Sequence, residues 1–538
     1  MRRSKHPVLW SLAWAGLFVF LLLNLPGLLV GGQTSLTREE ASQRAAHFLS
    51  EQGISVTGKI ETVLYTGDPD MEAYLKRHGL MESFERNLQR SRPLAYWEVS
   101  FFEPDGAFYA VSIDEVSGRV LGYQLKGTRK QEKPLLNERE ALEVAQGELL
   151  RRNVDPGELE LVTQVPEIPE KGEDGTRPFD YRYRWLNTVW DVGKSSYAYV
   201  VEITDNRVTG FRTEFAVPGE DLDWLEQQRS FGLLLTGISL LGMLLLVILS
   251  LVVAFVYPKR EVDWQRGLMI GILLLGITLL TNLNEWPVFL ANLSSYSDFS
   301  QELILWGTAF SVTGIAVLSS VSTYATTVAG AVLQRNLWPG KWLRWGDADW
   351  PERIRAAVFR GYLLAFVWLG VQGIFYWVSE RYFGVWEESD FTMTPWNFLV
   401  PGLFPLLAWI AGIGEEITFR LLGIGLVKRY LRSTFLALLL PAMVWALGHS
   451  LYPVHPFYTR FIELTLLGML IGWCFLRYDL ETVIFAHVIF DTVLMCLPLL
   501  FGGTWSDQLL AIGWLILPAT IGRYARWLQP GSIRLSGT

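Results

Sequence analysis

Two cysteines and six histidines are all that the 538 residues contain. Both cysteines, Cys474 and Cys496, lie in apolar runs, which excludes a disulfide framework or a cysteine metal knuckle in the polar part of the chain. Three signatures of hydrolysis within membranes are missing as well: there is no HExxH of a zincin, no GxGD of an aspartyl protease and no GxSG of a rhomboid-like serine enzyme. Ser450 adjoins His449, but adjacency alone does not make it a triad partner. No basic cluster with interleaved aromatics marks a nucleic-acid surface, and the formal charge is −8. No inverted repeat is visible among the apolar runs.

What the chain has in excess is apolar length. Half of its residues are hydrophobic and 23 are tryptophan, too much for a soluble protein of this size. Met1-Arg2-Arg3-Ser4-Lys5-His6 precedes an apolar run that ends near Val30. That run is longer than a signal-peptide core and lacks an A-x-A site, so residues 1–32 are expected to be a retained signal anchor with a cytosolic start. Nine further runs follow Arg229, near 230–257, 265–283, 304–333, 358–380, 398–427, 434–450, 459–477, 480–501 and 507–522, making about ten spans in all. Lys and Arg gather in alternate loops, around Lys259, Arg344, Lys428, Arg477 and Arg523, whereas the loops between carry almost none apart from Arg381 and Arg460. This bias places both termini in the cytosol and residues 33–229 outside.

Residues 33–229 read as an α+β domain with an internal repeat, 33–130 and 131–229. Thr37 followed by Glu40, and Asn137 followed by Glu140, are capping-box pairs that open amphipathic helices. Hairpins are expected after each helix, at Val111–Asp114 with Gly118–Tyr123 and at Val201–Thr204 with Asn206–Phe211. The pattern resembles small extracytoplasmic domains of the PepSY type, which implies a peptide-binding, regulatory or passive ectodomain.

One charged stretch, Gly414-Glu415-Glu416-Ile417-Thr418-Phe419-Arg420, interrupts the apolar run from Phe398 to Val427. An ionisable side chain at mid-bilayer costs at least about 2.5 to 3.5 kcal/mol, so such groups face a partner or a polar cavity. On a helix, Glu416 and Arg420 share a face and can pair, while Glu415 points about 100° away and needs another partner. Two histidines lie downstream in apolar runs: His449, after Trp445, and His487, four residues before Asp491 on the same helix face. Counting about 1.5 Å per residue from the cytosolic ends puts Glu415 about 20 Å deep, His449 about 22 Å and His487 about 10 Å. His487 joins the others only if its helix tilts or enters the membrane early. Pro401 and Pro405 are expected to delay the start of the Glu415 helix.

Glu415-Glu416 with Arg420, an aromatic four residues before His449, and His487 four residues before Asp491 together resemble the three-motif signature of the CPBP family. This family holds the type II CAAX prenyl endopeptidases and the bacteriocin-processing and self-immunity (Abi) proteins. The resemblance spans about 360–525 and implies an intramembrane endopeptidase with a helical core of about eight helices, here 358–528, after extra helices in 230–357 and before a cytosolic tail, 529–538. It implies that Glu415 activates water, that His449 holds that water or stabilises the oxyanion, and that His487 and Asp491 complete the pocket. Glu416 and Arg420 would orient the motif. Trp445 stands where phenylalanine is common, and Asp491 where many members have asparagine.

Glu415, His449 and His487 are also a zinc-type donor set, so both a metal-free site and a divalent metal such as zinc stay open. The expected surroundings are a lipid bilayer and a peptide or membrane-protein substrate, prenylated or precursor, with no nucleic acid. A different class remains beside it: a non-enzymatic transporter, immunity or signalling protein that uses the buried charges as an ion or partner site.

Overall fold

The structure is a computed structural model that describes residues 7–30, 36–89, 92–103, 108–126, 136–162, 179–188, 192–257, 263–291, 301–341 and 347–528. The tail at 529–538 lies outside the described residues. A helix, α1 (Pro7–Val30), precedes a sheet domain. That domain runs α2 (Arg38–Glu51), β1 (Ile60–Gly67), α3 (Pro69–Arg77), α4 (Met81–Asn87), β2 (Ala95–Phe102), β3 (Phe108–Asp114) and β4 (Val120–Lys126). It continues with α5 (Glu138–Arg151), β5 (Glu160–Leu161), β6 (Tyr181–Asn187), β7 (Ser196–Thr204) and β8 (Arg207–Ala216).

Both capping boxes form: Thr37 and Asn137 accept from the Glu40 and Glu140 amides, and those glutamates return to the cap amides. The two helices bury matching stripes, Ala41, Ala45 and Leu49 on α2 and Ala141, Ala145 and Leu149 on α5, each at 0% exposure. Period-four small residues let a helix lie close on a sheet. All strands join one antiparallel sheet in the order β1-β2-β3-β4-β8-β7-β6-β5, so two four-stranded halves meet last strand to last strand. Both expected hairpins are present, β3–β4 and β7–β8. The second turns at Asp205 and Asn206, both at positive φ, which suits the twist of a tight hairpin. At the join, the register is limited to Tyr123↔Phe211 and Gln124↔Gly210.

The helical part follows: α6 (Gly219–Val256), α7 (Trp264–Asn284), α8 (Trp286–Ala291), α9 (Gln301–Leu337) and α10 (Trp350–Phe383). Then come the short strand β9 (Trp386–Glu387), α11 (Leu406–Glu415), a π-helical stretch (Glu416–Ile424), α12 (Gly425–Leu431) and α13 (Thr434–Leu447). Last are β10 (Val454–His455), which pairs with β9, α14 (Tyr458–Arg477), α15 (Leu480–Gly502) and α16 (Trp505–Tyr524). Among the described residues, seven helices are long and apolar enough to cross a membrane: α1, α6, α7, α9, α10, α14 and α15. The chain is a multi-pass membrane protein. The other three expected runs are helical too: α11 to α12 is one run divided by the π stretch, α13 has 14 residues and α16 has 20. As expected, Pro401 and Pro405 keep the first part of 398–427 out of the helix, which starts at Leu406.

The sheet domain rests on a strap between α10 and α11. Asn397 grips the backbone of β1, its Oδ1 accepting from Tyr65 N (2.6 Å) and its Nδ2 donating to Tyr65 O (2.9 Å). Glu72 accepts from Ser389 N and Oγ, at 3.1 and 3.0 Å. Phe457 N donates to Gln228 at 3.0 Å, so the loop before α14 lies on the same side. At the far end, Arg266 meets Glu481 (3.2 Å) and Arg360 meets Asp479 (3.0 Å). Among the described residues, the basic-poor strap and the loop before α14 thus lie at the end that meets the sheet domain, and Arg266 and Arg360 lie at the other. Arg460, an exception in the charge pattern, is an internal residue bonded to Glu463 (2.7 Å) and Tyr376 (3.1 Å).

Candidate active site

Three helical segments bring the sequence-predicted residues together. Glu415 ends α11, and the next residue opens the π stretch. π segments inside α-helices widen the turn and occur often at functional sites. α11 approaches α15 closely at Gly412, where a Cβ would lie 2.6 Å from Val488 Cγ2 and 2.9 Å from its amide nitrogen. Only glycine permits that contact, and it sets the Glu415-Glu416 pair beside His487.

Glu416 is fully buried and gripped from two sides: Arg420 Nη1 lies 3.0 Å from its Oε1, and His487 Nδ1 lies 2.7 Å from the same oxygen. The expected pairing with Arg420 is therefore present, and Glu416 also ties the first motif to the third. On its other edge, His487 Nε2 is 3.3 Å from Asp491 Oδ2. His487 thus lies between two carboxylates, with Nδ1 toward Glu416 and Nε2 toward Asp491.

Glu415 differs from its neighbour. Its side chain is 26% exposed, and its oxygens lie 3.9 Å from His449 Nε2 and 3.9 Å from His487 Nε2. Those separations are too long for direct hydrogen bonds and suit sharing of a third group. His449 sits in the turn after α13, with Nδ1 donating to Trp445 O at 2.9 Å, so Nε2 is the nitrogen turned to Glu415. Trp445 Nε1 donates to Glu415 Oε2, and its ring lies 4.4 Å from the Arg420 guanidinium. The indole therefore links the exposed and the buried carboxylate, a role that the substitution of a wider ring did not announce. Gly468 on α14 makes room for it, since a Cβ there would stand 3.0 Å from the ring.

The structure brings His487 Nε2 to 3.9 Å from Glu415, and the first turn of its helix packs in the protein interior, with Leu480, Thr482 and Val483 at most 1% exposed.

Glu415, His449, His487 and Asp491 line one cavity of about 350 Å³ whose other walls are mostly apolar, among them Ile410, Leu464, Leu467 and Phe490. Sequence reasoning did not single out Tyr452, whose ring lies 5.4 Å from His449 and 5.1 Å from the Arg460 guanidinium. Arg460's place in a basic-poor loop was the available signal. A second cavity of about 490 Å³ shares Met393, Tyr452, Arg460, Leu494 and Met495 with the first and reaches the strap at Glu387, Glu388 and Asp390. Among the described residues, no group of three His, Cys, Asp or Glu side chains is arranged to hold a metal ion.

Residues 395–493 match the family model described as type II CAAX prenyl endopeptidase Rce1-like. The C-terminal part of the chain thus carries an Rce1-like domain, and every residue of the cluster from Glu415 to Asp491 falls within it. Over 508 residues, 92% of this chain and 96% of the other, the protein is 22% identical to the sporulation-killing factor biosynthesis protein SkfC of Bacillus subtilis (strain 168). No solved structure matches.

Proposed function

We propose that the protein is an intramembrane endopeptidase that hydrolyses peptide bonds of membrane-associated or precursor peptides, with Glu415 as the general base. The observation that carries this reading is the convergence of Glu415, His449, His487 and Asp491 on one apolar-walled cavity. His449 Nε2, with Nδ1 committed to Trp445 O, accepts one hydrogen of the water while Glu415 takes the proton as the oxygen attacks the scissile carbonyl. His487, oriented by Glu416 and Asp491, donates toward the developing oxyanion. Glu415 then returns its proton to the leaving amine as the C–N bond breaks. Arg420 and Trp445 position the two carboxylates.

The relative's name ties it to biosynthesis of a killing factor, which supports a secreted-peptide precursor as substrate ahead of a prenylated protein. With α11–α12, α13 and α16 counted beside the seven long helices, the bundle makes ten crossings, both termini cytosolic and the sheet domain outside. We read the two half-sheets as copies of a PepSY-like unit.

The test is peptide cleavage by detergent-purified protein, wild type against Glu415→Gln, with and without a chelator. Cleavage is expected in the wild type alone and unaffected by chelation. Cleavage retained in Glu415→Gln rejects the reading, and loss on chelation alone transfers the chemistry to a metal on Glu415, His449 and His487.

A further inference from the structure

We propose that the open face of the eight-stranded sheet binds a basic peptide segment, with the ammonium or guanidinium group seated on Glu98. α2 and α5 cover the other face of this sheet. On the open face the join of the two half-sheets leaves a trough of about 420 Å³, within the range of small-ligand pockets. Its floor is low because the row that starts at Glu98 continues through Ser112 and Gly122. A Cβ at Gly122 would meet Phe211 O at 2.9 Å, so the floor stays without a side chain where β4 meets β8.

The walls are charged and unequal. On one side Arg182 and Arg212 both hold Glu202, at 2.9 and 2.8 Å, and Arg212 also holds Glu214 at 2.9 Å. At the end of the trough Arg92 pairs with Asp68 at 2.6 Å. These guanidiniums already have their anions. On the opposite wall Glu98 is half-buried and makes neither a hydrogen bond nor an ion pair through its carboxylate among the described residues. Burial holds its carboxyl above the ordinary range, with no cation among the described residues to offset it. A half-buried carboxylate without a counter-ion costs stability, and proteins keep such groups where a ligand supplies the missing charge. A cation satisfies the trough; an anion would compete with carboxylates already bound to every arginine there.

The experiment uses full-length protein carrying Glu415→Gln, so that no peptide is cut and the outcome is independent of the proteolytic reading. N-acetyl-Ala-Lys-Ala amide, its Arg counterpart and its Gln counterpart are titrated by calorimetry. The Lys and Arg peptides are expected to bind at least about tenfold more tightly than the Gln peptide, a difference of about 1.4 kcal/mol. Adding Glu98→Gln should remove that gap while thermal stability is equal or higher. A gap that survives Glu98→Gln, equal binding of all three peptides, or a lowered Tm in Glu98→Gln overturns the proposal.

Discussion

In the sheet domain, one carboxylate, Glu202, is held by two cations, Arg182 and Arg212, whose side chains are 31% and 38% exposed. In the helix bundle, one carboxylate, Glu416, is likewise held by two partners, Arg420 and His487, exposed by 2% and 6%. The contacts have similar lengths, but the surroundings differ. Water screens the first arrangement and competes with it, so each partner contributes little. Nothing screens the second, and removing one partner leaves the others as uncompensated charges. Equal geometry therefore predicts unequal consequences when a partner is removed.

The largest effect falls beside the buried set. Glu415→Gln is expected to lower kcat/KM for peptide cleavage by about 100- to 10,000-fold, the range of general-base loss, with the melting temperature in detergent unchanged. Arg420→Ala should destabilise the fold by about 3–5 kcal/mol, seen as early loss of folded protein on heating or in denaturant. Trp445→Phe keeps the ring over Arg420 but removes the donor to Glu415. A hydrogen bond to a charged group is worth about 1.5–3 kcal/mol, so activity should fall roughly 10- to 150-fold while stability changes little. Arg182→Gln should cost about 1 kcal/mol or less, and less still at high salt. If Arg182→Gln and Arg420→Ala destabilise equally, the contrast between the regions is wrong.

The smallest effect is one of pH. Burial raises the folded-state pKa of Glu98, so the folded chain binds that proton more tightly than the unfolded chain does. The resulting stabilisation is fully present below the unfolded pKa, about 4.3, and is lost as pH rises through the higher folded value. Wild type should therefore gain stability relative to Glu98→Gln as the pH is lowered from 7 toward 4.5, measured by thermal unfolding at each pH.

Much of the site was legible because apolar surroundings make charge conspicuous. Glu415, Glu416, Arg420, His449, His487 and Asp491 stood out by their cost in a membrane, and the spacing of four predicted the pairs that form. The link from Glu416 to His487 crosses 71 positions and leaves no local trace. The role of Trp445 was equally hidden, because an indole in an apolar run reads first as packing. In the sheet domain, caps and hairpins were readable since each is set by a few neighbouring residues. The way β4 meets β8 was not, since pairing at a distance depends on both halves already being folded. β6, with its alternation Tyr-Arg-Tyr-Arg-Trp, carried a strand signal that was available in the residues.

The clasp of Asn397 on β1 closes a surface. β1 is an outer strand of the sheet, and three backbone groups at its middle are in use: Arg38 donates to Val63 O at 2.6 Å, and Asn397 takes both the N–H and the C=O of Tyr65. The opposite outer strand, β5, is two residues long. An incoming extended peptide therefore finds the middle of β1 already taken on its outward side. This outer strand is thus blocked against edge-to-edge pairing at Tyr65 by a residue that belongs to the membrane part.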